Sequence, residues 1–234
     1  MIRESIRSLE FRQLDFSYGE AAEIFKGLSH HFRDDMVTVL QGPTGGGKTT
    51  LIRLLLGMLQ PGAGEYLING QVVNRQSFHE FNRFRLNMGY AADDGGLIHN
   101  MTIYENFKLP LDYHGYRPAA DRREYILERL ARFNLDKQMF LRPSFVSGGT
   151  RKVASVLKAF LLDPEVLILN NPTMGLGSEH VLPLVNLIRH HRESRNLRHV
   201  LICSEDRGFL RHLDARVLQV SSTHLTESTL AEAA

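Results

Sequence analysis

The sequence predicts an α/β fold with a mixed β core and an inserted helical subdomain. Three observations predict this fold. A buried strand at Met36–Leu40 precedes a glycine-rich loop and a helix at Thr50–Leu59. After this unit, strand-like and helix-patterned runs alternate along the chain, as in α/β proteins. Between about residues 92 and 162 the patterned runs are helical, and no strand-like run interrupts them.

Composition limits the class of protein. Of the 234 residues, 43% are hydrophobic and 23% are charged, which suits a large core in a soluble protein. The net charge of +2 gives no overall basic footprint, so we expect no nucleic-acid partner. The single cysteine, Cys203, excludes a disulfide within one chain and suits a reducing compartment.

No segment is expected to enter a membrane. The N-terminal residues carry charge from Arg3 onward and lack the apolar stretch of a signal peptide. The longest apolar stretch, Leu54–Leu59, is far too short to span a bilayer. Any role at a membrane must therefore come through a partner.

The first part of the chain is predicted to form strands. Leu9–Ser17 alternates apolar and polar residues, and Gly27–Phe32 is typical of a return strand. Between them Tyr18 lies at a turn, where an aromatic ring either stacks on an adenine or is a plain surface tyrosine. Glu65–Asn69 and Gln71–Val73 are predicted to form a hairpin.

The remaining elements follow from periodicity and from turn residues. Helices are predicted at Ser77–Arg85, Ile103–Leu109, Arg122–Phe133, Arg151–Leu162, Glu179–His190 and Arg207–Leu213. Strands are predicted at Leu86–Ala91, Val166–Leu169, Val200–Cys203 and Ala215–Val220. Pro183 is expected to break or kink its helix. The polar, alanine-rich tail Ser221–Ala234 carries no structural prediction.

The glycine-rich loop is the strongest functional signal. Gly42, Gly47, Lys48 and Thr49 fit the spacing of a phosphate-binding loop. The backbone N–H groups are expected to surround an anion, Lys48 to reach the β- and γ-phosphates, and Thr49 to bind Mg²⁺. A glycine turn that binds nothing is the weaker alternative. The predicted nucleotide contacts are Tyr18, Gly42, Pro43, Thr44, Gly45, Gly46, Gly47, Lys48, Thr49 and Thr50.

Later stretches narrow the function. Ser147, Gly148 and Gly149 begin a helix, whose N-terminus is an anion site or a plain cap. The polar pair Asn170–Asn171 ends a buried strand. Asp93 lies in an acidic loop that either holds a metal or is solvated.

With these motifs, the chain resembles the nucleotide-binding subunit of ABC transporters from about residue 7 to 220. GPTGGGKTT resembles the Walker A motif, VSGGT the LSGGQ signature, and LILNNPTMGLG the Walker B strand with its D-loop. GYAADD resembles the Q-loop, CSED the switch-histidine segment, and Tyr18 the aromatic that stacks on adenine. The resemblance implies a P-loop ABC-ATPase fold with an antiparallel β subdomain. Residues 1–234 would form one ATP-binding domain, with ATP and Mg²⁺ as ligands.

The departures from the family pattern all fall at positions where the family has a polar side chain. Asp93 stands at the Q-loop glutamine position, and Asn170 at the Walker B aspartate position. Asn171 replaces the catalytic glutamate, Glu205 the switch histidine, and Gly177 the D-loop aspartate. Asn171 cannot accept a proton from water, and loss of a positioned base typically costs about 10²–10⁴-fold in rate. We therefore expect ATP binding with little or no hydrolysis at this chain's own Walker site.

The resemblance also implies partners. Family members form head-to-tail dimers, so Ser147, Gly148 and Gly149 would contact the partner's ATP. We expect a heterodimer with a catalytically complete subunit, and a homodimer is the alternative. A transmembrane permease would hold the chain at the cytoplasmic face of the membrane, docking near Leu97, Ile98 and Met101, for which a plain interior role is the alternative. Thr102–Leu111 is similar to Mla-type lipid-trafficking ATPases. A scaffold that uses ATP binding only as a dimerisation switch is the alternative function.

Overall fold

The ten described strands form two sheets in a computed structural model that describes residues 3–19, 23–93, 95–194, 197–221 and 225–229. The strands are β1 (Leu9–Ser17), β2 (Glu23–Phe32), β3 (Val37–Gln41), β4 (Ala63–Ile68), β5 (Gln71–Val72), β6 (Met88–Ala91), β7 (Val166–Asn170), β8 (His199–Cys203), β9 (Ala215–Val220) and β10 (Leu225–Thr229). The smaller sheet has the order β2-β1-β4-β5 and is antiparallel. It contains the predicted hairpin.

The larger sheet has the order β10-β9-β3-β8-β7-β6. Its strands are parallel except β10, which pairs antiparallel with β9 at one edge. The carboxyl ends of β3, β8, β7 and β6 therefore meet at one side of the sheet. Ligands of open α/β sheets bind beyond such carboxyl ends.

Seven helices connect these strands in the described residues. They are α1 (Lys48–Leu55), α2 (Phe78–Arg85), α3 (Ile103–Tyr113), α4 (Arg122–Ala131), α5 (Gly148–Ala159), α6 (Val181–Glu193) and α7 (Arg207–Leu210). Capping boxes begin two of them, with Ser77 before α2 and Thr102 before α3. Each cap side chain accepts a backbone hydrogen bond from the residue three positions on, which fixes where the helix starts. α3, α4 and α5 all lie between β6 and β7.

The larger sheet separates two apolar cores. Val39, Leu169 and Ile202 belong to a core that includes the buried faces of α3, α4, α5 and α6. Leu40 and Ile168 point to the opposite side and pack with α1 and the antiparallel sheet. Adjacent residues of one strand face opposite sides of a sheet, which explains why neighbours in the sequence belong to different cores.

Several predicted boundaries are wrong. α1 ends at Leu55, before Gly57, whose φ of 61° favours glycine and helix termination. α3 continues through Pro110 to Tyr113, because buried Leu111 anchors its last turn in the core. Pro183 neither breaks nor kinks a helix. α6 begins at Val181, and a proline in the first turn costs no helical hydrogen bond.

The start of β6 also differs from expectation, and β10 lies in the tail for which no structure was predicted. α5 begins at Gly148 with Ser147 as its cap, which agrees with the prediction that Ser147, Gly148 and Gly149 begin a helix. Across the described ranges, no helix combines the length and the apolar character needed to cross a membrane.

Candidate functional site

A cleft of about 860 Å³ lies at the carboxyl ends of β3, β7 and β8. Pockets for small ligands typically measure about 300–1,000 Å³, so this cleft has room for a nucleotide. It is lined by Tyr18, Ile24, Leu40, Gln41, Gly42, Pro43, Thr44, Gly45, Gly46, Gly47, Lys48, Thr49, Thr50, Asp93, Asn170, Asn171, Cys203, Ser204, Glu205, Arg207 and Gln219. The structure therefore gathers the predicted loop residues and the four predicted catalytic positions at one place.

The loop from β3 to α1 is a cradle that requires glycine at two positions. Gly42 has a φ of 144°, and a Cβ there would lie 2.6 Å from the Val220 carbonyl oxygen. Gly47 has a φ of 91°, and its Cβ would lie 2.8 Å from the Phe25 ring. No side chain caps the N-terminus of α1. The first N–H groups of α1 thus remain available for an anion, which the helix dipole also attracts.

Lys48 reaches back over this loop. Its Nζ donates hydrogen bonds to the carbonyl oxygens of Gly42, at 2.5 Å, and Pro43, at 3.0 Å. The ammonium therefore lies at the mouth of the cradle. A phosphate entering the loop would meet the charge and the N–H groups together.

Tyr18 stands at the rim of the cleft. Its hydroxyl lies 3.3 Å from the Thr50 hydroxyl, and its ring meets Phe16 edge-on with ring centroids 4.9 Å apart. Two contacts thus fix the ring, while 43% of the residue stays exposed. Stacking of adenine on this ring stays a prediction.

The ends of β6 and β7 meet at the opposite wall. Asn171 has a φ of 46°, and its N–H donates to the Cys203 carbonyl oxygen at 2.8 Å. Its side-chain Nδ2 donates to Asp93 Oδ2 at 3.1 Å. Asn170 is buried directly beside this pair. Three of the four predicted catalytic positions are therefore in mutual contact or adjacent.

Lys152 lies directly behind this wall, and it was not predicted as a site residue. It lies on α5, and its Nζ donates to the carbonyl oxygens of Asp93, at 3.1 Å, and Asn170, at 3.3 Å. Nζ also lies 3.7 Å from Asp93 Oδ1, and the lysine side chain is 6% exposed. The available signal was a lysine on the apolar face of a predicted helix.

The segment after β8 forms the remaining wall. Asp206 caps α7 by accepting a hydrogen bond from the Phe209 N–H at 3.1 Å, which leaves Glu205 facing the cleft. Burial raises the pKa of the Cys203 thiol, so the thiol stays protonated and is a poor nucleophile. The sequence analysis did not assign Cys203, Ser204, Arg207 or Gln219 to the site.

The predicted metal ligands, Thr49 and Asp93, both line the cleft. The Asp93 carboxylate, however, already contacts Lys152 and Asn171. Asn170 and Asn171 offer only neutral amides, and hard cations prefer carboxylates and water. Within the described part of the chain, no three His, Cys, Asp or Glu residues form a group that could hold a metal ion. This donor set does not fit a tightly held Mg²⁺.

Ser147, Gly148 and Gly149 do not line this cleft. They lie at the N-terminus of α5, where Ser147 Oγ accepts a hydrogen bond from the Thr150 N–H at 3.0 Å. Ser147 and Gly148 are exposed. A Cβ at Gly149 would lie 3.1 Å from the Gly175 carbonyl oxygen, so the two loops touch. Their contact with ATP across a dimer stays a prediction.

Asn106 organises the loop that precedes α3. Its side chain accepts a hydrogen bond from the Ile98 N–H at 2.7 Å and donates to the carbonyl oxygens of Ile98, at 3.1 Å, and Thr102, at 2.9 Å. Asn106 is fully buried, so it holds the loop from inside. Ile98 remains exposed on the outer side. Of the predicted docking residues, Leu97 packs against the core instead.

Comparison with known proteins identifies relatives over most of the chain. A sequence profile of the family described as ABC transporter matches residues 25–174. MlaF of Haemophilus influenzae, the ATP-binding protein of an intermembrane phospholipid transport system, is 28% identical over 94% of this chain and 83% of its own length. LolD of Buchnera aphidicola, the ATP-binding protein of a lipoprotein-releasing system, is 30% identical over 76% of each chain.

A third relative and a solved structure are also similar to this chain. Mkl of Mycobacterium tuberculosis, a probable ribonucleotide transport ATP-binding protein, is 32% identical over 77% of this chain, which spans 50% of Mkl. The dimeric post-hydrolysis structure of the ATP-binding cassette MJ0796, bound to ADP and Pi, has a TM-score of 0.84. That structure is 22% identical and covers 95% of this chain and 98% of its own. The structural likeness bears on the fold alone.

Proposed function

The chain belongs to the ABC transporter family as an ATP-binding subunit, and from this premise we propose that it binds ATP in the cleft but hydrolyses it poorly or not at all there. Members of this family bind ATP, typically with Mg²⁺. One observation carries the proposal. The loop Gly42–Thr50 is complete, whereas the last residue of β7 and the residue after it carry the neutral amides of Asn170 and Asn171.

Binding and hydrolysis draw on different groups in this cleft. Binding uses backbone N–H groups, Lys48 and the Tyr18 ring, all of which are present. Hydrolysis needs a water molecule to be positioned and deprotonated while charge is neutralised around the γ-phosphate. Asn171 cannot accept a proton, and Glu205 presents a like charge to the phosphate. These groups therefore support retention of ATP without its turnover.

The experiment is an ATP titration of the purified chain with phosphate release measured in the same samples. We expect saturable binding, release at background, and loss of binding in Lys48→Ala. The double variant Asn170→Asp/Asn171→Glu introduces the two carboxylates that the family has at these positions. The glutamate can accept a proton from water, so ATP turnover should rise by about 10²-fold or more. Asn100→Asp, the same amide-to-acid change in an exposed loop, serves as the control. The proposal would be defeated if the unaltered chain released phosphate clearly above background and as fast as the double variant.

We further propose that residues 1–234 form one ATP-binding domain that pairs with a second ABC subunit, with a heterodimer favoured. Support comes from Ser147 and Gly148, which are exposed and lie outside the chain's own cleft. They would contact ATP held by a catalytically complete partner. An ATP-dependent homodimer of the chain alone, detected by mass in solution, would contradict the heterodimer and favour the homodimer.

The transporter we propose handles lipids, and the chain sits at the cytoplasmic face of the membrane through a permease. Support comes from the relatives, since MlaF and LolD are named for phospholipid transport and lipoprotein release. The exposed Ile98 on the loop fixed by Asn106 offers a docking point. Affinity purification from solubilised membranes should recover a transmembrane subunit. Recovery of the chain without one would favour the scaffold alternative.

A further inference from the structure

A buried lysine lies behind the wall of the cleft, where it joins three elements. Lys152 extends from α5 to the loop after β6 and to the end of β7. Its partners are the carbonyl oxygens of Asp93 and Asn170 and, at 3.7 Å, the Asp93 carboxylate. The lysine side chain is almost completely buried, whereas 41% of the Asp93 side chain stays exposed at the cleft.

Burial fixes the charge state and the place of this pair. A buried ammonium is costly unless it is paired with a negative charge and hydrogen-bonded, and Lys152 has both kinds of partner. Asp93 is therefore neutralised from inside the protein. Its second oxygen accepts a hydrogen bond from Asn171 Nδ2. Among the described residues the other oxygen, Oδ1, is buried and accepts no hydrogen bond, so the Lys152 ammonium at 3.7 Å offsets its charge.

The charged side chains that line the cleft are two positive and two negative. Lys48 and Arg207 contribute positive charge, while Asp93 and Glu205 contribute negative charge. A triphosphate entering the cleft would be repelled by an unpaired Asp93. In most phosphate sites a divalent cation bridges such a carboxylate to the phosphate oxygens. Here the Lys152 ammonium already offsets the carboxylate.

We propose that Lys152 substitutes for a divalent cation in this cleft, so that the cleft binds nucleotide equally well with and without Mg²⁺. The inference rests on the proposed function, because it concerns how the same cleft binds ATP. It adds a specific role for Lys152 and for Asp93. The lysine neutralises the aspartate, and the aspartate is a partner of the lysine instead of a metal ligand.

The first test compares equilibrium binding of ATP to the full chain in EDTA and in excess Mg²⁺. We expect dissociation constants that differ by less than about threefold. Binding that is tenfold or more weaker in EDTA would overturn this inference and leave the proposed function standing. Absence of binding in both conditions would defeat the proposed function together with the inference.

Variants of the pair sharpen the test. Lys152→Met leaves Asp93 unpaired, so binding in EDTA should weaken about tenfold and recover with Mg²⁺, which the freed carboxylate then meets. Adding Asp93→Asn to Lys152→Met removes both charges and should restore binding in EDTA. Lys158→Met is the matched control, because Lys158 lies on the same helix but donates to the Gly96 carbonyl oxygen, at 3.2 Å, instead of to Asp93 or Asn170.

Thermal unfolding of each variant separates folding from binding. If Lys152→Met does not fold, Asp93→Asn alone carries the test, since it leaves the lysine in place and removes only the negative charge. Binding of ATP to Asp93→Asn in EDTA should equal or exceed that of the unaltered chain. Binding to Asp93→Asn that falls tenfold in EDTA and returns with Mg²⁺ would show a metal requirement independent of Asp93, and would overturn the inference.

Discussion

Glycines stand at the N-termini of both α1 and α5, yet the two helix starts form different kinds of site. At α1 the buried Gly47 supplies a left-handed backbone, and no side chain caps the helix. At α5 the exposed Ser147 caps the helix with its own hydroxyl. The first is a closed cradle with unsatisfied N–H groups, and the second is an exposed surface whose cap is already made.

The two helix starts also share a basic side chain near the first turn. Each helix start carries a cation that binds carbonyl oxygens of its own loop, Lys48 at Gly42 and Pro43, and Arg151 at Pro143 and Val146. Lys48 lines the cleft, and Arg151 does not. Similar local chemistry therefore produces a complete phosphate site only where strand ends enclose the loop. The surface at α5 needs a second surface to become one.

Alanine at the glycines should give the largest contrast. Gly47→Ala forces a Cβ into the Phe25 ring at a φ of 91°, so we expect loss of about 1–3 kcal/mol of unfolding free energy and of ATP binding. A Cβ at Gly148 meets only the Arg151 side chain at 3.7 Å, so Gly148→Ala should retain both. Urea unfolding and ATP titration measure the two effects. Equal ATP binding by both variants would remove the distinction between cradle and surface.

Removal of the two cations should give the next effect. Lys48→Met loses a charge-assisted contact to phosphate worth about 1.5–3 kcal/mol, so ATP binding should weaken about 10- to 100-fold. Arg151→Met should leave the dissociation constant unchanged, because Arg151 lies outside the cleft. Fluorescence titration with an ATP analogue measures both. A comparable loss in Arg151→Met would mean that α5 shapes the chain's own cleft.

The pH dependence of stability tests whether the chain, with both helix starts, unfolds as a single cooperative unit. Burial lowers the pKa of His199, so the folded chain resists protonation while the unfolded chain binds a proton near pH 6.5. Stability is therefore full above about pH 6.5 and declines as pH falls below it. His199→Phe should flatten this decline, and His31→Gln, at an exposed position, should not. Separate melting of the two cores, seen by probes near α1 and α5, would contradict a single cooperative unit.

The helix caps should give the smallest effect. Ser147→Ala and Thr102→Ala each remove a side-chain acceptor for a backbone N–H and should each cost about 1 kcal/mol of unfolding free energy. Neither should change ATP binding by the isolated chain. In a mixed dimer, only Ser147→Ala should lower the partner's ATP turnover. Equal turnover with both variants would leave Ser147 with a structural role alone.

Local signals allowed much of the fold to be predicted. Alternation gave the bounds of β1, and the strand–loop–helix pattern placed the phosphate cradle. The resemblance to the family's motifs assigned Asn170, Asn171 and Glu205 to the site, and they line the same cleft. That placement agrees with the rule that the carboxyl ends of parallel strands meet.

What the sequence did not predict depends on contacts between distant residues. Lys152 pairs with Asp93 across 59 positions, and no local pattern encodes that distance. α3 was predicted to end at Leu109, but it continues through Pro110 to Tyr113, because burial of Leu111 outweighs the hydrogen bond that the proline cannot donate. The strand β10 is held by pairing with β9, while its own residues are mostly polar. Tertiary packing overrides local propensity in each case.

The separation of two cores by the larger sheet has a consequence for hydrogen exchange. Strands β3, β7 and β8 are covered on both faces and paired on both sides. Their amide protons can reach solvent only when the sheet itself opens, so their exchange reports global unfolding. The amides of α4, on the periphery of one core, can exchange through smaller openings. A peptide from β8 is therefore an internal gauge of total stability, and a peptide from α4 measures how far the helical region loosens before the sheet does.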